Sequence, residues 1–93
     1  MPKNSSEQFF ELLKHKNAKI NKIISPPNFQ SEEFCQDDDE FVFLAQGEAV
    51  LQIESDLHTL KTGEHLFIKR GQKHKILSTS PECETIWLAV QIL

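Results

Sequence analysis

The chain has 93 residues, 39% hydrophobic and 26% charged, with a formal net charge of −4. That length allows one domain with one modest core, because so small a chain buries only about 60–70% of the surface its unfolded form exposes. The acidic balance argues against generic nucleic-acid binding, which needs a basic surface, and no apolar stretch approaches the roughly 20 residues of a membrane-spanning helix.

The N-terminus, MPKNSSEQFFELLKHKN, is too polar for a signal peptide, since Glu11 and Lys14 interrupt its apolar residues. A cytoplasmic protein is expected. Residues Ser5 to about His15 read as a short helix. Ser5 or Ser6 can cap it, Glu7 sits in the first turn, and Lys14, His15 and Lys16 crowd the last. Phe9, Leu12 and Leu13 fall at i, i+3, i+4 on one apolar face, and Phe10 widens it. Residues 1–17 are therefore expected to form a helical segment outside a β domain spanning residues 18–93. The adjacent phenylalanines must be covered by that domain or by a partner subunit.

After Asn17 the pattern changes. AKINKII alternates and is β-branched until Pro26-Pro27 breaks it. Short strands then follow around Phe29 to Gln36, Phe41 to Gln46, Glu48 to Glu54, Leu57 to Lys61, His65 to Lys69, Lys75 to Thr79 and Thr85 to Ile92. Ser55-Asp56, Thr62-Gly63 and Arg70-Gly71 supply the turns. Turns at this spacing with no intervening helix predict an all-β sandwich or barrel. Cys35 and Cys83 fit no C-x-x-C spacing, and two free thiols are expected in a reducing compartment.

The run GEHLFIKRGQKH, from Gly63 to His74, is a turn, a strand, a second turn and a histidine re-entering the sheet on the next strand. Together with DDDEFVFLAQG upstream, it resembles the paired motifs of the cupin superfamily. The first motif of that superfamily carries two histidines separated by one residue, then a glutamate, six residues and a glycine. Glu40, FVFLAQ and Gly47 match its second half, while Phe34 and Gln36, or Glu33 and Cys35, stand where the histidines would be. The second motif is matched in spacing by Gly63, Gly71 and His74, with Lys69 in place of its proline and Ser78 in place of its asparagine. Segments CQDDDEFVFLAQGEA and ETIWLAV are also similar to a subgroup of small single-domain bacterial cupins that lack the paired histidines. The resemblance implies a cupin-type double-stranded β-barrel, jelly-roll-like, with the short N-terminal helix outside it.

In such a barrel alternate side chains of each strand enter the lumen. With His74 inward, Ile76 and Ser78 join it. With Glu40 inward, Val42 and Leu44 follow, and Gln36 lies on the same side. With Gln91 inward, Trp87 and Ala89 share its face. The outcome is an apolar floor with four candidate ligand-binding groups, Gln36, Glu40, His74 and Gln91, the composition of a small-ligand site. His74 and Glu40 are also the candidate metal ligands, since imidazole and carboxylate suit several divalent metals. One imidazole and one carboxylate are a thin set, so any divalent metal is expected to bind weakly, and no cofactor can be named.

The remaining polar clusters read more blandly. His65 shares the face of Phe67 and points away from His74, and His15 and His58 are surface residues. Asp37-Asp38-Asp39 lacks the ligand spacing of a calcium loop and reads as a solvated acidic loop. The basic run Lys69, Arg70, Lys73 and Lys75 either steers an anionic ligand to the pocket mouth or pairs with the acidic loop. Three functions remain open: a binding module for a small polar or anionic ligand, a metal-dependent isomerase or oxygenase using His74 and Glu40, and a scaffold with a vestigial pocket. A homodimer is expected, because Phe9, Phe10 and the TIWLAVQIL strand present more apolar surface than one small barrel covers.

Overall fold

The computed structural model describes residues 7–93. These form nine strands in chain order: β1 (Gln8–His15), β2 (Ala18–Ser25), β3 (Phe34–Cys35), β4 (Asp39–Gln46), β5 (Glu48–Ile53), β6 (Asp56–Lys61), β7 (His65–Ile68), β8 (Lys73–Thr79) and β9 (Thr85–Ile92). They build two antiparallel sheets, ordered β1-β2-β9-β4-β7 and β3-β8-β5-β6. Among the described residues no helix is long and apolar enough to cross a membrane.

The N-terminal helix is corrected. Gln8–His15 is an edge strand, joined to β2 by a two-residue turn in which Lys16 takes φ 53° and paired from Gln8↔Ile24 to His15↔Ala18. A helix of that length is marginal by itself, whereas the hairpin satisfies the backbone of both segments and lays Phe9 against the core. The residues proposed to cap the helix, Ser5 and Ser6, lie outside the described residues.

From β4 onward the strands follow the alternation of the sequence. The buried positions are Glu40, Val42 and Leu44 on β4, Ala49, Leu51 and Ile53 on β5, and Thr85, Trp87 and Ala89 on β9. With Ile23, Leu60, Ile76 and Phe29 these apolar side chains close one core between the sheets. Trp87 is fully buried at its centre.

Three local expectations change. The predicted strand over Phe29 to Gln36 contracts to Phe34–Cys35. Upstream of it, Ser31 Oγ accepts from the Ile76 amide at 2.7 Å and Thr79 Oγ1 accepts from the Phe29 amide at 2.8 Å, so side chains replace part of the ladder. The turn expected at Ser55-Asp56 falls one residue earlier, at Glu54-Ser55, with Ile53↔Asp56 paired and Glu54 at φ 53°. On β8 the register jumps between Leu51↔Ile76 and Val50↔Ser78. Leu77 is thus a bulge residue, which turns Ser78 outward and Thr79 inward and reverses the side assigned to Ser78.

Candidate functional site

β4 and β9 are neighbours in the five-stranded sheet, and their register sets Glu40 directly opposite Gln91. β8 belongs to the facing sheet and carries His74, paired with Phe34 on one side and Ile53 on the other. Glu40 and His74 are 0% and 2% exposed, so both reach the interior. Gln36 follows β3 directly and is half-buried.

The hydrogen bonds give each group a direction. His74 Nδ1 lies 3.2 Å from the Gln72 carbonyl, which can only accept, so that nitrogen carries the proton. The Phe34 ring stands edge-on to the imidazole at 6.0 Å. Burial pulls the His74 pKa below 6.5, against the Gln72 hydrogen bond and the charges of Glu40 and Asp38, which favour the protonated form. The neutral ring leaves Nε2 as a buried acceptor, and it has no partner. Gln36 Nε2 donates to Asp38 Oδ1 at 2.9 Å, and Gln36 Oε1 is buried without a partner. Gln91 Oε1 accepts a long bond from Asn21 Nδ2 at 3.4 Å. A cleft of about 480 Å³ opens beside Gln36 and Gln91, lined also by Asp37, Asp38 and Arg70 among others.

One interior residue escaped the sequence reading. Glu7, assigned there to a helix, is 4% exposed. The Trp87 indole donates to Ser25 Oγ at 3.0 Å, and Ser25 donates to Glu7 Oε2 at 2.6 Å. Burial raises the Glu7 pKa above 4.5; the Ser25 hydrogen bond opposes that shift and the charge of Glu40 adds to it. Glu40 therefore acts electrostatically on both Glu7 and His74. Positions 7, 25 and 87 are far apart in the chain, and nothing local to Glu7 signals this relay.

The residues do not fit a transition-metal centre. Among the described residues no three His, Cys, Asp or Glu side chains come together as a metal cluster, and catalytic metals are held by three strong protein ligands. The other clusters lie elsewhere. His65 is exposed and stacks on Phe41 at 5.4 Å. The acidic loop and the basic turn meet through backbone, with the Arg70 amide donating to Asp39 Oδ1 at 2.9 Å and the Gly71 amide to the Gln36 carbonyl at 2.8 Å. Cys35 is exposed, Cys83 is half-buried, and both are free thiols.

Comparison with known proteins agrees with this architecture. The family model described as "Cupin domain" matches residues 22–91. Among solved structures, a candidate mannose-6-phosphate isomerase from Ralstonia eutropha JMP134 is 29% identical with a TM-score of 0.88, over 96% of this chain and 86% of that one. A predicted oxalate decarboxylase from Thermotoga maritima is 22% identical with a TM-score of 0.80, over 94% and 80% of the two chains. An RmlC-like cupin from Shewanella frigidimarina NCIMB 400 is 12% identical with a TM-score of 0.84, over 96% and 78%. At their identities the last two show the fold alone. No functionally curated protein matched the sequence.

Proposed function

The chain belongs to the cupin family, and from that premise we propose that it is a cytoplasmic binding protein holding a small polar ligand between its sheets through Gln36, Glu40, His74 and Gln91. The observation that carries this reading is His74, whose Nε2 is buried in the interior and unmet. Leaving a buried acceptor unsatisfied costs about 1–3 kcal/mol, and such atoms persist where a ligand or water meets them. Gln36 Oε1, on a residue that lines the cleft of about 480 Å³, repeats the pattern.

The test is a screen of small polar compounds by thermal shift, followed by titration calorimetry. Saturable one-site binding that is lost in His74→Phe is the expected result. A screen without a single saturable binder would reject the reading.

A metal-dependent isomerase using His74 and Glu40 draws support from the name of the 29%-identical neighbour, but its ligand set is short here. The proposal also includes a homodimer in which a second copy covers β1. That edge strand exposes Phe10, Leu12 and Leu13, whereas β9 lies between β2 and β4 of its own sheet.

A further inference from the structure

The cleft of about 480 Å³ has the size of a small-metabolite site, and its wall carries charges of both signs. Arg70 stands on the turn after β7, and Asp37 and Asp38 on the loop between β3 and β4. Backbone ties hold the two loops together: the Gly71 amide donates to the Gln36 carbonyl at 2.8 Å, and the Arg70 amide to Asp39 Oδ1 at 2.9 Å. The side-chain charges do not follow. Among the described residues the ion pair is Lys19 with Glu11, at 3.8 Å, so neither Asp37 nor Asp38 neutralises Arg70 across the cleft.

The two glutamines of the wall divide in the same way. Gln36 Nε2 is spent on Asp38 Oδ1, which leaves Gln36 Oε1 as a buried acceptor with no partner. Gln91 is the reverse: its Oε1 accepts from Asn21 Nδ2, so its amide nitrogen is the end left to donate. The cleft therefore offers an accepting, negative set, Gln36 Oε1 with Asp38, and a donating, positive set, Gln91 Nε2 with Arg70. A ligand of one charge would satisfy half of this wall and meet its own sign on the other half, which costs affinity.

We propose that the cleft takes a zwitterionic amino acid, its ammonium on Asp38 and Gln36 Oε1 and its carboxylate on Arg70 and the Gln91 amide. The guanidinium fork matches a carboxylate in shape as well as in charge, and Leu93, exposed in the same wall, suits an apolar side chain. This rests on the binding reading above and narrows its ligand to one class. The link between the two is Gln91, which lines the cleft and stands opposite Glu40 on the same face of the sheet.

Cys35 gives a readout confined to the site. It is an exposed thiol in the wall of the cleft, whereas Cys83 lines a separate depression with Glu48 and Pro81. The full chain is alkylated with iodoacetamide, and mass spectrometry follows the two cysteines separately. Three probes are compared over a concentration series: L-leucine, 3-methylbutylammonium, which lacks its carboxylate, and 4-methylpentanoate, which lacks its ammonium. Leucine should slow alkylation of Cys35 saturably and leave Cys83 unchanged. Each analogue should need about tenfold more for the same protection, as for loss of charge-assisted hydrogen bonds. Arg70→Gln removes the positive charge, and Asp38→Asn removes a negative one while keeping an acceptor for the Gln36 amide. Each should weaken leucine about threefold, the scale of an exposed charge pair. Protection by either analogue at the concentration of leucine would overturn the zwitterion and leave a cleft ligand in place. Undiminished leucine binding in either variant would overturn the contacts proposed. No protection of Cys35, or equal slowing of both cysteines, would also overturn the proposal, and the thermal-shift screen with His74→Phe then judges the wider binding reading separately. If a variant does not fold, the three wild-type series decide alone.

Discussion

The indole Nε1 of Trp87 donates to Ser25 Oγ at 3.0 Å across adjacent strands of one sheet. Ser25, 0% exposed, passes the bond on to Glu7. Ser25→Ala strands a buried donor and a buried acceptor together. The expected cost is about 1–3 kcal/mol, read as a drop of several degrees in melting temperature, since about 1 kcal/mol moves a domain of this size by about 4–8 °C. Ser25→Thr, which keeps the hydroxyl, should recover part of the loss.

The stability that His74 contributes should fall as pH drops below 6.5. Burial holds the folded His74 pKa below that value, so between the folded value and 6.5 the unfolded chain binds more protons and acid favours it. Glu7 has the opposite sign. Its folded pKa lies above 4.5, so the stability it contributes is present at low pH and is lost as pH rises through the folded value. Urea midpoints across a pH series should therefore show a flatter acid limb in His74→Gln. In Glu7→Gln, stability relative to the native chain should improve as pH rises from 4.5. A His74→Gln curve parallel to that of the native protein would contradict the placement of His74.

Gly47 and Gly63 both sit at positive φ, 96° and 91°, but in different surroundings. A methyl group on Gly47 would come 2.7 Å from Thr85 Oγ1 and 3.1 Å from the Thr85 backbone, whereas Gly63 has nothing within 4 Å. Gly63→Ala should cost about 1–2 kcal/mol from backbone strain alone. Gly47→Ala should cost distinctly more, because β9 must also shift, and thermal melts of the pair measure the difference.

Light scattering should give a dimer mass at micromolar concentration. A Leu12→Glu/Leu13→Lys variant, altered only on the exposed faces of β1, should be monomeric with its circular dichroism unchanged. A monomer mass for the native chain would reject the β1 interface.

Adding imidazoles where the superfamily motif has them, and at the end of β9, should build a metal site. Gln36→His/Gln91→His would set four strong ligands with His74 and Glu40, and cobalt(II) titration should produce visible absorption in the double variant. The native chain should retain no stoichiometric zinc, iron, manganese or nickel through purification without an affinity tag. Metal analysis of the native protein at one ion per chain would restore the metal-dependent enzyme reading.

Strand alternation and turn chemistry made most of this architecture legible in the sequence. Glu40-Val42-Leu44 and Trp87-Ala89 each share one face by the period of two residues alone, and the structure turns those faces inward. Gly63 and Gly71 mark turns for an equally local reason, their positive φ. What only the tertiary structure decided was non-local. QFFELLKH satisfies a helical period, and it is a strand because β2 lies ready to pair with it. Ser78 faces outward because Leu77 bulges against β5, a neighbour that the β8 sequence does not encode. Glu7 is an interior carboxylate that Ser25 of β2 meets, with Ser25 held in turn by Trp87 of β9. Periodicity reports the face a residue takes within its own strand, whereas register and burial depend on partners dozens of residues away, and those the fold alone supplies.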